Sequence, residues 1–433
     1  MFMKYVFSIL ALTVFQVTIA AAQGLSKTEK KVVAYIQSTT NQAIDLLKES
    51  ANINSGSLNI EGVKKVGLVY ARELEKAGFT CTWIPMPDSI KRAGHLVAER
   101  KGKKGKKLFL IGHLDTVFEP DMPFTPFTMV NDSTATGQGV NDMKGGDVIM
   151  IKALQALHAQ GLLDDVTITA YFTGDEERGG EPISVSRADF IERAKQAEVA
   201  IGFEGATGLN TIATARRGSS DWKLEVTAET GHSSGIFSDR AGYGAIYEAA
   251  RIINEFRTTL SSEQYLTFNP GLIFGGSEIQ YNASKASGSA IGKDNIISPA
   301  VVVSGDLRFL TEQQKENARA AMSEIVGKSL TGTNASIKFE DGIPSMAPTP
   351  GNETILKVID GISQDLGQGP SVAGNPGSRG AGDISYIAAY LDCVDGLGAS
   401  GSGAHAPGER IKLNDLPYLT KRAALLIYRL TNK

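Results

Sequence analysis

The sequence has few cysteines and no strong excess of charge of either sign. Its two cysteines, Cys81 and Cys393, are too few for a disulfide framework and cannot form a metal site alone, so we expect buried thiols. The net charge of −3 means that the overall electrostatic field of the chain does not attract nucleic acid. Internal repeats and low-complexity segments are absent from the sequence. The 433 residues, 42% of them hydrophobic, are sufficient for more than one hydrophobic core.

The first 22 residues have the order of a secretory signal peptide. Lys4 precedes an apolar stretch from Tyr5 to Ile19, and three alanines at 20–22 follow it. An uncleaved membrane anchor is the alternative, but the apolar stretch is short for a membrane span. We therefore expect cleavage after Ala22, a periplasmic or secreted protein, and no membrane partner once the signal has been removed.

One dense basic run, KGKKGKK at 101–107, lies between two apolar runs. Such a run is typical either of a solvated turn or of a site that binds a polyanion. The apolar runs on both sides favour a solvated β-hairpin. We therefore expect no nucleic-acid partner.

The first half of the chain after the signal alternates between two kinds of pattern. Residues 27–52 and 60–78 have the apolar spacing of amphipathic helices. Short runs rich in β-branched and aromatic residues follow, and they alternate with further helical patterns such as 145–160. This alternation predicts an α/β fold with a mostly parallel sheet and helices on both faces.

The pattern changes near Gly218. Residues 218–341 show the order β-α-β-β-α-β, which is typical of a small ferredoxin-like α+β domain. From residue 342 the α/β pattern resumes, with helices predicted over 353–367, 383–391 and 415–430. The expected organisation is a signal peptide at 1–22, a larger domain in two parts at 23–217 and 342–433, and an inserted domain at 218–341.

Acidic residues and histidines follow several of the predicted strands. In a parallel sheet the carboxyl ends of strands meet at one edge, where ligands bind, so residues far apart in the sequence lie close together there. A glycine-rich loop near the end of the chain carries another histidine. The residues that we expect to converge are His113, Asp115, Asp142, Glu176, Glu177, Glu204 and His405.

Two imidazoles and several carboxylates form a mixed set of nitrogen and oxygen ligands. Zinc accepts both types of donor, and paired zinc ions roughly 3.5–4 Å apart are suited to hydrolysis. Dications at this edge would also remove the repulsion among the adjacent acids of TGDEERGG (173–180). Each residue alone has an ordinary structural explanation, and we assign His95 and His158 no role. The prediction depends on the joint placement of the set.

Three motifs make the sequence similar to a known family: GHLDTV (112–117), NDMKGG (141–146) and TGDEERGG (173–180), in this order. It resembles the co-catalytic zinc carboxypeptidase and aminoacylase peptidases, which include glutamate carboxypeptidase, aminoacylase, acetylornithine deacetylase and succinyl-diaminopimelate desuccinylase. The resemblance covers essentially all of the chain after the predicted signal, including the inserted domain. It is greatest for the exported bacterial glutamate carboxypeptidases.

The resemblance implies two zinc ions per subunit, with Co²⁺ or Mn²⁺ as substitutes. It implies that Asp115 orients the imidazole of His113 through a hydrogen bond, and that a cis peptide bond follows Asp142. Glu176 would be the general base, taking a proton from the attacking water and giving it to the leaving nitrogen. The implied ligands are His113 and Glu204 on one ion, Glu177 and His405 on the other, and Asp142 on both.

The resemblance also gives roles to residues of the inserted domain, which it implies is a lid and dimerisation domain. His232, in TAETGHSSG, would stabilise the oxyanion in its own active site or in that of a dimer partner; its alternative role is that of a surface histidine. Asn295 and Arg308 would bind the carboxylate of the substrate, with a salt bridge inside the lid as the alternative for Arg308. Gly380 would line the pocket. Departures from the family pattern, as in SRGAGD (378–383), lie in substrate-contacting loops and put only the substrate in doubt.

Together these features predict an exported di-zinc metallohydrolase that cleaves an amide bond next to a free carboxylate. A carboxypeptidase is the first hypothesis, and an N-acyl-amino-acid deacylase or a dipeptidase of the same family is the alternative. A non-catalytic binding protein on the same fold is a remote alternative, and a related zinc aminopeptidase family is disfavoured because it generally lacks the inserted domain. The expected partners are a small peptide, an N-acyl amino acid or a folate-like amide, and a second copy of the chain in a homodimer.

Overall fold

The structure is a computed structural model that describes residues 24–432, so the predicted signal peptide lies outside the described residues. The helices in this range are α1 (Lys27–Ser38), α2 (Thr40–Ala51), α3 (Ile60–Glu75), α4 (Lys144–Ala159), α5 (Ile183–Ser186), α6 (Ala188–Ala194), α7 (Gly244–Leu260), α8 (Glu312–Val326), α9 (Pro350–Asp365) and α10 (Leu416–Asn432). The strands are β1 (Thr80–Ile84), β2 (His95–Arg100), β3 (Lys104–His113), β4 (Thr128–Asn131), β5 (Thr134–Thr136), β6 (Val166–Thr173), β7 (Val199–Gly202), β8 (Thr211–Ile212), β9 (Gly218–Ala228), β10 (Thr267–Gly276), β11 (Glu278–Asn282), β12 (Ser287–Ile291), β13 (Ala300–Phe309), β14 (Thr333–Asp341), β15 (Val372–Ala373), β16 (Asp392–Val394), β17 (Gly401–Ser402) and β18 (Arg410–Lys412).

The larger sheet has six strands in the order β1-β2-β6-β3-β7-β16. The strand β3 pairs in parallel with β6 and β7, and β7 pairs in parallel with β16. The strands β1 and β2 are antiparallel to their neighbours at one edge. This topology confirms the predicted α/β fold with a mostly parallel sheet.

The central strand β3 shows that this sheet is covered on both faces. Its residues 108–111 are all buried, as expected for a strand between two layers. Leu108 and Leu110 belong to the main hydrophobic core, which also contains residues of α4 and α10. Phe109 and Ile111 belong to a smaller core on the opposite face, because successive side chains of a strand alternate. The carboxyl end of β3 is therefore held firmly at one edge of the sheet.

Residues 218–341 form a second sheet with its own hydrophobic core. Its four strands are antiparallel in the order β10-β13-β9-β14, and α7 and α8 pack against it. Trp222, Leu224 and Val226 of β9 face these helices, since alternate residues of a strand share a face. The chain order is the predicted β-α-β-β-α-β, with an additional hairpin of β11 and β12 that the sequence pattern did not indicate.

Three local predictions are wrong. The helix predicted over 27–52 is divided at Thr39, where the hydroxyls of Thr39 and Thr40 donate back to carbonyl groups of the preceding turn. The helix predicted over 383–391 is only a 3₁₀ turn, Asp383–Tyr386, and the carboxylate of Asp383 is bound by Arg187. The hairpin predicted at 101–107 does not form, because β2 and β3 both pair with β6 and not with each other.

The cysteines form no disulfide. Cys393 is buried, as expected, whereas Cys81 is only partly buried. Within residues 24–432, no helix combines the length and the hydropathy that are needed to cross a bilayer.

Candidate metal centre

The carboxyl edge of the larger sheet brings the predicted ligands together. Three of the contributing segments are the ends of β3, β6 and β7, which parallel pairing holds side by side. A fourth directly precedes α4, and a fifth is the loop between β17 and β18. In chain order these segments carry His113, Asp142, Glu176 with Glu177, Glu204 and His405.

Asp142 lies between the two histidines. Its Oδ1 atom is 3.3 Å from His113 Nε2, and its Oδ2 atom is 3.0 Å from His405 Nε2. Glu204 Oε1 is 3.7 Å from His113 Nε2, and Glu177 Oε2 is 3.1 Å from His405 Nε2. The cluster therefore consists of two groups of ligand atoms that share one carboxylate, which is the arrangement that two adjacent metal ions require. The peptide bond after Asp142 is cis, as the resemblance implied.

The donor set fits divalent metal ions. Ligand atoms of His113, Asp142 and Glu177 lie within 4.8 Å of one another, and so do those of His113, Glu176 and Glu204. Imidazole nitrogens and carboxylate oxygens are both ligands of zinc. Glu177 Oε1 is buried and has no hydrogen-bond partner among the described residues. A buried carboxylate oxygen is costly unless a donor or a cation meets it, so the cluster is suited to positive ions.

The pKa values of the metal-free protein show how strongly these groups interact. Burial raises the pKa of Glu176 well above its usual value, and the nearby Glu204 raises it further. Burial and the neighbouring Asp142 raise the pKa of Glu204 to about 7. Hydrogen bonds with Asp142 and Glu177 raise the pKa of His405 to about 11. The metal-free cluster therefore holds protons at neutral pH that metal ions must displace.

Asp115 lies beside His113, but its carboxylate bonds mainly to other groups. His113 Nδ1 is 3.0 Å from the backbone carbonyl oxygen of Asp115 and 3.4 Å from its Oδ1. The same carboxylate accepts the backbone N–H groups of Glu176 and Glu177 at 3.0 and 3.1 Å. It also accepts the hydroxyl of Ser57 at 2.6 Å. Asp115 is therefore placed to orient His113 through its main chain and to fix the loop that carries the two glutamates.

Three predicted residues of the inserted domain lie apart from the cluster. His232 is exposed, with its Nδ1 atom 2.8 Å from Ser234 Oγ. An isolated β-bridge holds it beside the segment that carries Asn295. Arg308 Nε is 2.8 Å from Asp306 Oδ2. Across residues 24–432, no hydrogen bond or ion pair joins these side chains to the predicted metal ligands.

Gly380 is connected to the cluster through one buried arginine. Its carbonyl oxygen accepts a hydrogen bond from Arg216 Nε at 2.8 Å. The same buried guanidinium pairs with Asp395 and interacts electrostatically with Glu204. Gly380 is therefore connected, through Arg216, to the side of the cluster that Glu204 occupies.

The sequence analysis missed Glu409. Its buried carboxylate accepts the backbone N–H groups of Gly139, Asn141 and Asp142 at 2.8, 2.7 and 2.8 Å. Burial raises the pKa of Glu409 to about 7, although these three bonds act to lower it. Because Glu409 follows His405 in the same loop, it ties that loop to the segment that carries Asp142. The only signal in the sequence is a glutamate close after the histidine, in GAHAPGER (403–410).

A second group that the sequence analysis missed lies behind the acidic run. The fully buried Arg187 contacts Asp175 Oδ1 at 2.5 Å and Asp383 Oδ1 at 2.8 Å. The hydroxyl of Ser186 and the N–H of Gly180 donate to Asp175 Oδ2 at 2.6 and 2.8 Å. The charge of Asp175 is therefore compensated inside the protein and not at the metal cluster.

Comparison with known proteins gives matches over most of the chain. The family profile described as "Peptidase family M20/M25/M40" matches residues 109–429. Carboxypeptidase G2 from Pseudomonas sp. (strain RS-16) is 25% identical over 422 residues, which cover 94% of this chain and 94% of that protein. Succinyl-diaminopimelate desuccinylase from Magnetococcus marinus is 24% identical over 372 residues, which cover 83% of this chain and 91% of that protein.

The solved structures include similar folds. Aminopeptidase PepT from Bacillus cereus superposes with a TM-score of 0.72 and covers 90% of this chain and 98% of its own. Its sequence identity is 17%, so this likeness concerns the fold alone.

Proposed function

This chain belongs to peptidase family M20/M25/M40 and is a metallopeptidase, and we propose that it is an exported di-zinc hydrolase that cleaves an amide bond next to a free carboxylate. The observation that carries the proposal is the position of Asp142, which has one carboxylate oxygen facing His113 and the other facing His405. Similarity to carboxypeptidase G2 favours a carboxypeptidase that acts on a small peptide or a folate-like amide. Similarity to the desuccinylase favours the alternative, an N-acyl-amino-acid deacylase.

The proposed metal ligands divide into two groups around the shared carboxylate. His113 and Glu204 would hold one ion, and His405 and Glu177 the other, with Asp142 on both. Bound zinc ions would activate a water molecule and polarise the carbonyl group of the substrate. The side chains around the metal ligands would transfer the proton and bind the substrate.

Glu176 is the proposed carrier of the proton. Its ligand atom lies within 4.8 Å of those of His113 and Glu204, and its backbone N–H is fixed by Asp115. In this position the carboxylate takes a proton from the attacking water and gives it to the nitrogen of the leaving group.

We assign the recognition of the substrate's carboxylate to Asn295, Arg308 and Gly380, and stabilisation of the oxyanion to His232. The salt bridge between Arg308 and Asp306 does not oppose this role, since both side chains are more than one third exposed and such a pair contributes little. A substrate carboxylate can therefore replace Asp306 as the partner of Arg308. Because the lid residues lie apart from the metal ligands, the proposal requires the lid to close or a second subunit to supply them.

A homodimer through the inserted domain is part of the proposal. The strand β10 is an edge strand, and Ile246, Tyr247 and Ile273 on α7 and β10 are 53%, 52% and 56% exposed. Exposed apolar side chains beside an unpaired edge strand favour association with another chain. Sedimentation of the wild-type protein and of the variant Ile273→Lys tests this, since the variant should be a monomer.

The proton-transfer role is tested with Glu176→Gln. This variant should lose nearly all turnover and keep the metal content of the wild type, because the amide cannot accept the proton but adds no bulk. Glu353→Gln, an exposed site on α9, is the matched control and should keep full activity. Wild-type turnover in Glu176→Gln would refute the assigned base.

The substrate class is tested with pairs of compounds. Peptides with a free C-terminal carboxylate, the same peptides with a C-terminal amide, and N-acyl amino acids would be assayed with and without a chelator. Hydrolysis should need both the free carboxylate and the metal. Arg308→Met should raise KM for the carboxylate substrates and leave the metal content unchanged. Equal cleavage of the amidated peptides would contradict the proposed recognition.

A further inference from the structure

The lysine side chains of the basic run at 101–107 are exposed to solvent. Within residues 24–432, these lysines form no ion pair: Lys101, Lys103, Lys104, Lys106 and Lys107. Lys104 alone has a side-chain partner, donating to Asn432 Oδ1 at 2.6 Å. The run follows β2 and opens β3, which are separated in the sheet by β6. The run is therefore an exposed connection between two strands, and it lies at the amino-terminal end of β3.

A second group of lysines lies on the first helix. Lys27, Lys30 and Lys31 are exposed on α1 and also lack ion pairs among the described residues. The only acidic residue of this first turn, Glu29, is buried and pairs with Arg429 Nε at 2.7 Å. Its charge is therefore not available to neutralise the lysines beside it.

The last turn of α10 brings the two groups to the same end of the molecule. Arg429 contacts Glu29 of α1, while Asn432 accepts the hydrogen bond of Lys104. Gly105 lies so close to Thr431 that a Cβ atom on it would be 2.0 Å from the carbonyl oxygen of Thr431. The two groups of lysines therefore lie on segments that both contact the last turn of α10. We call this region the lysine-rich end.

Three acidic residues lie beside the basic run. The carboxylate of Asp165 accepts the N–H of Lys103 at 3.1 Å, and that of Glu198 accepts the N–H of Lys107 at 3.0 Å. Asp164 lies 3.6 Å from Arg100. A bond from a backbone N–H leaves the charge of a carboxylate in place, so these three acids offset part of the positive charge. The five lysines of the run and the three of α1 outnumber them, and this end keeps an excess of positive charge although the whole chain has a net charge of −3.

The predicted signal segment joins the fold at this end. Gly24, the first described residue, donates its N–H to Asp365 Oδ1 at 2.9 Å, and Asp365 Oδ2 pairs with Arg429 at 2.7 Å. The apolar stretch from Tyr5 to Ile19 therefore precedes the lysine-rich end directly in the chain. The metal cluster is at the opposite end of β3, since Lys104 begins that strand and His113 ends it, roughly 30 Å away.

We propose that the lysine-rich end docks on the surface of an anionic phospholipid bilayer, with the metal cluster facing away from the lipid. The ammonium groups of α1 and of the connection between β2 and β3 form a broad basic face. Such a face is suited to a layer of phosphate headgroups. The apolar segment predicted as an export signal precedes Gly24 at this same end. This proposal differs from the expectation drawn from the sequence, which was no membrane partner once the signal has been removed and a solvated turn at 101–107. The structure adds the second group of lysines and its position.

The test measures the binding of the chain from Gln23 onward to vesicles. Vesicles of phosphatidylcholine with about one third phosphatidylglycerol would be compared with pure phosphatidylcholine vesicles at low and high salt. Each lysine near an anionic surface changes the partition coefficient by about fivefold, so a triple substitution should lower it by roughly a hundredfold. The variants are Lys103→Gln with Lys106→Gln and Lys107→Gln, and Lys27→Gln with Lys30→Gln and Lys31→Gln.

The matched control removes the same charge elsewhere. Lys64, Lys65 and Lys338 are exposed and form no ion pair among the described residues, so their triple glutamine variant should bind vesicles like the wild type. All three variants should hydrolyse soluble substrates at the wild-type rate. The proposal is overturned if the wild type binds neutral vesicles equally well, if the control loses as much affinity, or if only one group of lysines matters. Retention on a soluble polyanion such as heparin without vesicle binding would also overturn it.

Discussion

Replacing Arg187 with methionine should lower the free energy of unfolding of the metal-free protein, because Arg187 is the cation of a buried ion-pair group. The change leaves Asp175 and Asp383 buried without their cation. Removing one partner of a buried ion pair costs about 3–5 kcal/mol, because an uncompensated charge remains in the interior. At about 2.1 cal/mol/K per residue, unfolding roughly 400 residues has an entropy of about 0.85 kcal/mol/K, so Tm should fall by about 4–6 °C.

Scanning calorimetry in the presence of a chelator measures this change without a contribution from bound metal. Arg72→Met is the matched control. Arg72 contacts Glu49 at 2.8 Å, and the two side chains are 48% and 44% exposed. The second partner of Arg72, the buried Glu73, keeps a cation in the variant because Lys76 contacts it at 2.7 Å. An exposed pair contributes about 0–1 kcal/mol, so its loss should lower Tm by about 1 °C at most. Adding Asp175→Asn and Asp383→Asn to Arg187→Met should recover part of the loss. Equal Tm values for Arg187→Met and Arg72→Met would refute the reasoning.

Replacing Glu409 with glutamine should weaken metal binding by about ten- to a hundredfold, because an amide NH₂ would face at least one of the three N–H groups that position Asp142. Competition with a chromophoric chelator at pH 8 measures this affinity, and an unchanged value would show that Glu409 does not position the ligands. Metal binding at pH 7 should release protons, because the pKa of His405 is raised to about 11 by its bonds to Asp142 and Glu177 and a metal ligand must be neutral. The apparent affinity should therefore rise with pH, and titration calorimetry should give heats that depend on the ionisation enthalpy of the buffer. Heats that are the same in all buffers would contradict this.

The convergence of the predicted metal ligands could be inferred from the sequence, because the positions of most of them depend only on where parallel strands end. His113 ends a buried strand, and Glu177 and Glu204 each follow one. Parallel strands place such positions at one edge whatever their order in the sheet. Asp142 and His405 lie in loops, where periodicity gives no position. The sequence indicated only that Asp142 precedes a helix and that His405 lies in a glycine-rich loop, and the family resemblance supplied their expected roles as ligands. In the structure the carboxylate of Asp142 faces both imidazoles.

Contacts between distant segments could not be predicted. Arg187 and Asp383 are 196 residues apart, and nothing local to either residue indicates the other. The same reason explains the wrong hairpin at 101–107. Two apolar runs joined by a polar segment can form a hairpin, or they can form two strands with a third strand between them. Here β6 lies between β2 and β3, and nothing in the sequence near residues 101–107 indicates this.

The run Asp175–Glu176–Glu177 divides its charges between two environments. Because Asp175 is paired with Arg187 in the interior, only Glu176 and Glu177 add negative charge to the metal cluster. In the proposed di-zinc state, two dications face three ligand carboxylates, those of Asp142, Glu177 and Glu204, and one positive charge is left over. That excess favours the ionised form of Glu176, which is the form that accepts a proton from water. If Asp175 also faced the cluster, its charge would remove this excess. In the proposed enzyme, the buried Arg187 therefore supports the chemistry by holding Asp175 away from the cluster.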